Sequence, residues 1–266
     1  MANSFRSFLS LITYHGFSEV LLATHADTLE HGAGHHSAHE ALQHHFDNME
    51  QQKTATTLGM WLFLVQEVMF FGGLFLCYIV YRTLFPQAFQ AASSHLNWKL
   101  GAFNTVVLIC SSLTMALAVW AAQAGRTRRT QVLFLVLTTV LGLTFLGVKA
   151  VEYADKFHDG LIPIAGWFGP TDEATLAAFT SAGSTIPHVQ MFYWIYFAMT
   201  GLHALHMIVG IGIIIPIIWA AWRGRYSPEY YAPVELFGLY WHFVDIIWIF
   251  LFPLLYLLGA HFGGGH

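Results

Sequence analysis

Charge is what this sequence lacks most. Only 10% of its 266 residues are Asp, Glu, Lys or Arg, against roughly 25% in an ordinary soluble domain. So little charge cannot cover a water-facing surface. It also excludes a nucleic-acid-binding surface, because the net charge is -4 and no extended basic block occurs. Cysteine is nearly absent: Cys77 and Cys110 both lie inside apolar runs and form no CxxC pair. A disulfide framework is therefore excluded, and both read as small hydrophobes within helices. Alternating polar and apolar residues are missing too, which argues against strands of a membrane barrel.

What is present is apolar. Hydrophobic residues make up 56% and aromatics 16%, with a mean hydropathy of +0.55. Five runs are long enough for a hydrocarbon core about 30 Å thick, at about 20 residues per crossing. They cover Thr57–Phe85, Lys99–Gln123, Gln131–Tyr153, Gln190–Trp222 and Pro233–Ala260. Backbone polar groups must be satisfied within each run in lipid, so all are expected to be helices. The fold class is thus all-α: a polytopic bundle of about five transmembrane helices.

Residues 1–56 read as a non-cleaved N-terminal extension, because Tyr14, His15, Gly16, Ser18 and Glu19 break up any signal-peptide core. The extension carries His15, His25, His31, His35, His36, His39, His44 and His45. Their irregular spacing, with no Cys among them, points to a solvated or partner-docking segment rather than a metal site. A surface helix fits the Ala/Gln/Glu-rich stretch around 38–52. The bundle proper occupies 57–266, with an irregular outer loop at about 157–189 rich in Pro and Gly.

Orientation follows from the short connections. Arg126, Arg128 and Arg129 lie in one and Arg223 and Arg225 in another, whereas Asp155, Asp159, Asp172 and Glu173 dominate the loop between. The positive-inside rule then places the N-terminus in the cytoplasm and the C-terminus outside.

Ionisable groups within the runs need a reason, at about 2.5–3.5 kcal/mol each on insertion scales. Glu67 lies near the middle of the first run. His203 and His206 share one face of the fourth, and His242 and Asp245 one face of the fifth. These five are expected to converge into a single polar layer between helices. Too few His and Cys are available for a haem or metal centre, so the layer reads as structural hydrogen bonding, with a proton relay through Glu67 as the alternative. The tryptophans, Trp241 and Trp248 among them, read as interfacial or lipid-facing.

The same stretches carry a resemblance. LGMWLFLVQEVMFFGGLF, FAMTGLHALHMIVG and YWHFVDIIWIFLFPLLYLLG, in that order, resemble the conserved segments of subunit III of haem-copper oxidases, and VEYADKF fits that family's glutamate–tyrosine helix ending. The likeness covers about 57–260 and matches the shorter, five-helix bacterial form; the first two helices of the seven-helix mitochondrial form have no counterpart here. It implies a non-catalytic, cofactor-free chain of a proton-translocating terminal oxidase in the bacterial plasma (inner) membrane. Haem and copper would lie in partner subunits I and II, with direct packing on subunit I, bound phospholipid and support of proton uptake. Glu67, His203, His206, His242 and Asp245 take the family's buried polar positions, and Arg223 a lipid-headgroup position. The ending IFLFPLLYLLG leans toward the cytochrome c type. A quinol oxidase subunit III, an accessory subunit of nitric oxide reductase, a small membrane transporter and a membrane cytochrome remain the alternatives.

Overall fold

Apolar length alone makes the long helices, and the structure, a computed structural model, describes residues 49–164, 168–181, 184–228 and 230–257. Seven α-helices and one π-helical turn occur among them, with no strand beyond an isolated bridge between Ser227 and Tyr230. In chain order they are α1 (Met49–Leu84), α2 (Pro86–Ser94), α3 (Trp98–Gln123), α4 (Arg128–His158), α5 (Glu173–Ser181), α6 (Ile186–Trp222) and α7 (Ala232–Phe252), followed by the π turn Pro253–Leu257. Five are long and apolar enough to cross a membrane: α1, α3, α4, α6, and α7 extended by the turn. The described residues form the expected bundle of five membrane-length helices.

Most of the extension, residues 1–48, lies outside the described residues, including all eight of its histidines. Its last residues, from Met49, are not a separate surface helix but the opening turns of α1. The two short helices were not expected. Pro86 presets the first turn of α2. The loop at 157–189 likewise contains α5 and the first turn of α6.

The helix ends follow local chemistry. Asn97 caps α3, its Oδ1 accepting from the backbone N–H of Lys99 at 3.1 Å. Thr127 caps α4 through Thr130 N–H at 3.4 Å. The turn between them needs a left-handed residue just past α3, supplied by Gly125 at φ 60°, and Arg126 N–H then returns to Ala121 O at 2.9 Å.

The helices α3, α4, α6 and α7 close a ring in which each packs against two neighbours. Small residues let the backbones approach, as expected where lipid removes the hydrophobic drive between helices. The indole of Trp241 fills the space above Gly142 of α4 and Gly210 of α6; a Cβ on either glycine would meet the ring at 2.9 Å. Its Nε1 donates to Ser111 Oγ at 2.9 Å, and Trp248 Nε1 donates to Thr105 Oγ1 at 3.1 Å. Both tryptophans are 0% exposed, so they belong to the core and not to the lipid face the sequence suggested. The indole N–H groups explain the difference: each finds a hydroxyl on α3 that a lipid face would not offer.

Helix α1 stands apart. Only 11% of its apolar window is buried, against 50% for the last span. It is held by side chains: the ring of Phe71 against His206, Phe75 against Phe250 and Tyr78 against Phe89. At the far end of α7, Pro253 has no N–H to give and the helix widens. Two carbonyls of this turn are taken by other helices. Leu254 O accepts from Tyr78 Oη at 2.5 Å and Leu255 O from Ser93 Oγ at 2.6 Å.

Candidate functional site

The five polar residues picked out in the sequence do not form a single layer: they fall into two groups and one isolated ring, and a further buried ion pair forms another group. In the first group, Glu67 of α1 meets His206 of α6, with Oε2 3.2 Å from Nε2. The distance is that of an ion pair, but the angle is not that of a hydrogen bond, and Oε2 accepts none. The other ring nitrogen, Nδ1, lies 2.8 Å from Leu202 O. A carbonyl only accepts, so Nδ1 carries a hydrogen. Tyr240 Oη donates to His206 O at 2.8 Å, and Phe71 covers the ring edge-on.

Because α1 stands away from the ring, a groove of about 640 Å³ opens beside this pair. Met60 and Phe63 of α1, Val209 and Ile213 of α6 and Leu236 of α7 line it, with His206 at its edge. It lies toward the membrane face bearing Arg223, which caps the end of α6 with its guanidinium 3.7 Å from the Trp219 ring centroid.

The second group joins α3 to α7. His242 Nδ1 lies 2.6 Å from Ser112 Oγ, one turn of α7 from Asp245. Asp245 is only 3% exposed, yet neither carboxyl oxygen receives a hydrogen bond from any described residue.

His203 is the isolated ring. It is fully buried between Phe145 and Trp248, each 5.3 Å away between centroids, and neither nitrogen has a hydrogen-bond partner among the described residues.

The third group was not anticipated. Lys149 and Glu152, one turn apart on α4, are 2% and 3% exposed and pair at 2.9 Å. The Lys149 ammonium also donates to Tyr196 Oη at 3.2 Å and Tyr256 Oη at 2.9 Å. Both phenols donate in turn to Glu152 Oε1, at 2.8 and 2.5 Å. The rings of Tyr153, Tyr196, Trp248 and Tyr256 surround the ammonium at 5.2–5.6 Å from their centroids. Every donor of the cation is used, which is the condition for a buried pair to hold. The signal was available: VKAVEY places two opposite charges at i and i+3 inside an apolar run. The expected span ended at Tyr153, which put them at an interface; α4 continues to His158 and sinks them.

No group of three or more His, Cys, Asp or Glu is arranged to hold a metal ion among the described residues. Its five membrane-length helices make the chain a multi-pass helical membrane protein. The sequence profile of cytochrome c oxidase subunit III matches residues 35–159 and 172–260. The chain belongs to that family, which makes it a component of a respiratory oxidase complex. Similar relatives include cytochrome c oxidase subunit 3 of Thermostichus vulcanus, 29% identical over 80% of this chain and 92% of that protein. The counterpart from Synechocystis sp. is 32% identical over 75% of this chain and 74% of its own length. A probable quinol oxidase subunit 3 from Staphylococcus haemolyticus is 28% identical over 82% and 96%.

Proposed function

We propose that this chain is the non-catalytic, cofactor-free subunit III of a proton-translocating haem-copper oxidase, packed directly on subunit I with subunit II in the same complex. It holds phospholipid in the groove between α1 and the α6–α7 face and supports proton uptake by the catalytic subunit. The observation that carries this reading is the groove itself. A cleft of about 640 Å³ with apolar walls suits acyl chains, and at its edge His206 of α6 faces Glu67 of α1 at 3.2 Å. Arg223 at the same membrane face offers a lipid phosphate a charge-assisted bond. Haem and copper belong to the partner subunits.

The resemblance to the shorter bacterial form favours the bacterial plasma membrane, and the arginine-rich connections favour a cytoplasmic N-terminus and an outside C-terminus. The His-rich residues 1–56 are then a cytoplasmic extension, and 57–266 the membrane bundle with its loop at about 157–189 on the outer side. Cytochrome c is the favoured electron donor. The Staphylococcus haemolyticus relative supports a quinol-oxidising complex as the second reading; the donor surface lies on other subunits.

The test is made in the assembled oxidase. Glu67→Gln keeps shape and hydrogen-bonding capacity, and should leave the initial oxygen-consumption rate near normal. Glu67→Leu removes the carboxyl that faces the half-buried His206 ring at 3.2 Å. That oxidase should start near the normal rate, retain less phospholipid by mass spectrometry and inactivate sooner during sustained turnover. Loss of the initial rate in Glu67→Gln, with haem and copper content intact, would make the carboxyl an obligatory proton carrier and refute the structural role.

A further inference from the structure

Asp245 faces a cavity that nothing described so far fills. Between α3 and α7, on the side of α7 turned away from the lipid groove, a notch of about 300 Å³ is lined by Ser112, His242 and Asp245. Its rim is apolar and open: Ile109, Leu113, Ile246 and Ile249 are between 46% and 61% exposed. Asp245 lies 13 residues into α7, about 20 Å along the helix, and so near the middle of a bilayer about 30 Å thick.

A buried carboxyl needs donors or it is costly to keep. The Ser112 hydroxyl is close enough to act on the Asp245 carboxyl, but at 2.6 Å it is engaged with His242 Nδ1. A hydroxyl has a single hydrogen, so it satisfies at most one of the two oxygens, and neither receives a bond as the chain stands. Lipid headgroups cannot reach this depth, and acyl chains carry no donor. A second copy packed face to face would set against Asp245 chiefly the other copy's Asp245, an equally donor-poor carboxyl. A helix from another chain bearing an N–H or O–H side chain satisfies both the shape and the missing bonds.

We propose that this notch seats a hydrogen-bond-donating side chain from a transmembrane helix of another oxidase subunit, with Asp245 as its acceptor. The α3–α7 face is then a protein interface, distinct from the lipid groove on α1, α6 and α7. The proposal rests on membership of the oxidase complex and is independent of the lipid reading.

The experiment places a benzophenone amino acid at Ile246, on the rim, in the purified intact oxidase. After irradiation, mass spectrometry maps the attachment point. The expected product joins this chain to a membrane helix of another subunit, within one turn of a Ser, Thr, Asn, Gln, Lys, Arg, Tyr or Trp. Asp245→Asn, which still accepts, should keep more than half of the adduct, and Asp245→Leu should lower it at least fivefold. Adducts to lipid alone, attachment to a wholly apolar stretch, or equal yields with Asp245→Leu would each overturn the proposal. Should Asp245→Leu prevent incorporation, the attachment point in the otherwise unsubstituted complex decides by itself. Co-purification of the chain and its phospholipid content, measured on the same sample, report separately on membership and on the groove.

Discussion

Replacing Lys149 by Met tests a buried ion pair whose cation uses all of its donors. The stem is nearly isosteric, so packing changes little, but the ammonium and its three hydrogen bonds disappear. Glu152, only 3% exposed, would be left as a buried acid with two phenols and no cation. Removing one partner of a buried ion pair costs about 3–5 kcal/mol, whereas an exposed pair contributes about 0.2–1 kcal/mol. The two tyrosines soften the loss, since Tyr196 and Tyr256 still donate to Glu152 Oε1. A loss near the lower end, about 3 kcal/mol, is therefore expected. Replacing both charges, Lys149→Met with Glu152→Leu, should cost less than Lys149→Met alone, because no unpaired charge is then buried. The assay is a double-mutant cycle on detergent-solubilised oxidase, following unfolding and release of this chain with temperature or denaturant. A strongly non-additive cycle supports the argument. Two additive losses, each below about 1 kcal/mol, would refute it and show that water or lipid headgroups already screen the pair.

Two further predictions concern topology and packing. Cysteines placed at Thr127 and Glu173 should be labelled from opposite sides of oriented membranes; labelling of both from one side would reject the alternating five-span arrangement. Gly210→Ala puts a methyl group 2.9 Å from the Trp241 ring and should destabilise the chain by about 1–3 kcal/mol through overpacking. Combining it with Trp241→Phe should recover part of that loss, and unchanged thermal stability in Gly210→Ala would contradict the close contact.

The spans were legible because membrane thickness demands length, and length is visible in hydropathy. The short helices α2 and α5 were not, since nine residues each leave no such signature and form by packing at the bundle ends. Glu67, His203, His206, His242 and Asp245 could be picked out because charge in an apolar run is costly wherever it lies. Their grouping could not be read from depth along each helix. Rotation of α7 turns His242 toward Ser112 on α3, while α6 turns His206 toward α1. Lys149 escaped notice and Glu152 was read only as part of a helix ending, because the span was ended too early; the aromatic shell around the ammonium comes from α4, α6, α7 and the π turn.

The π turn bears on how the molecule is made. Tyr256, which bonds both Lys149 and Glu152, and the carbonyls that receive Tyr78 and Ser93 are all synthesised after the other spans. The indole of Trp241 that fills the gap between α4 and α6 is likewise a late arrival. During translation α1, α3, α4 and α6 must therefore enter the bilayer with their polar side chains incompletely matched. The last helix to be made is thus the one that completes the matching.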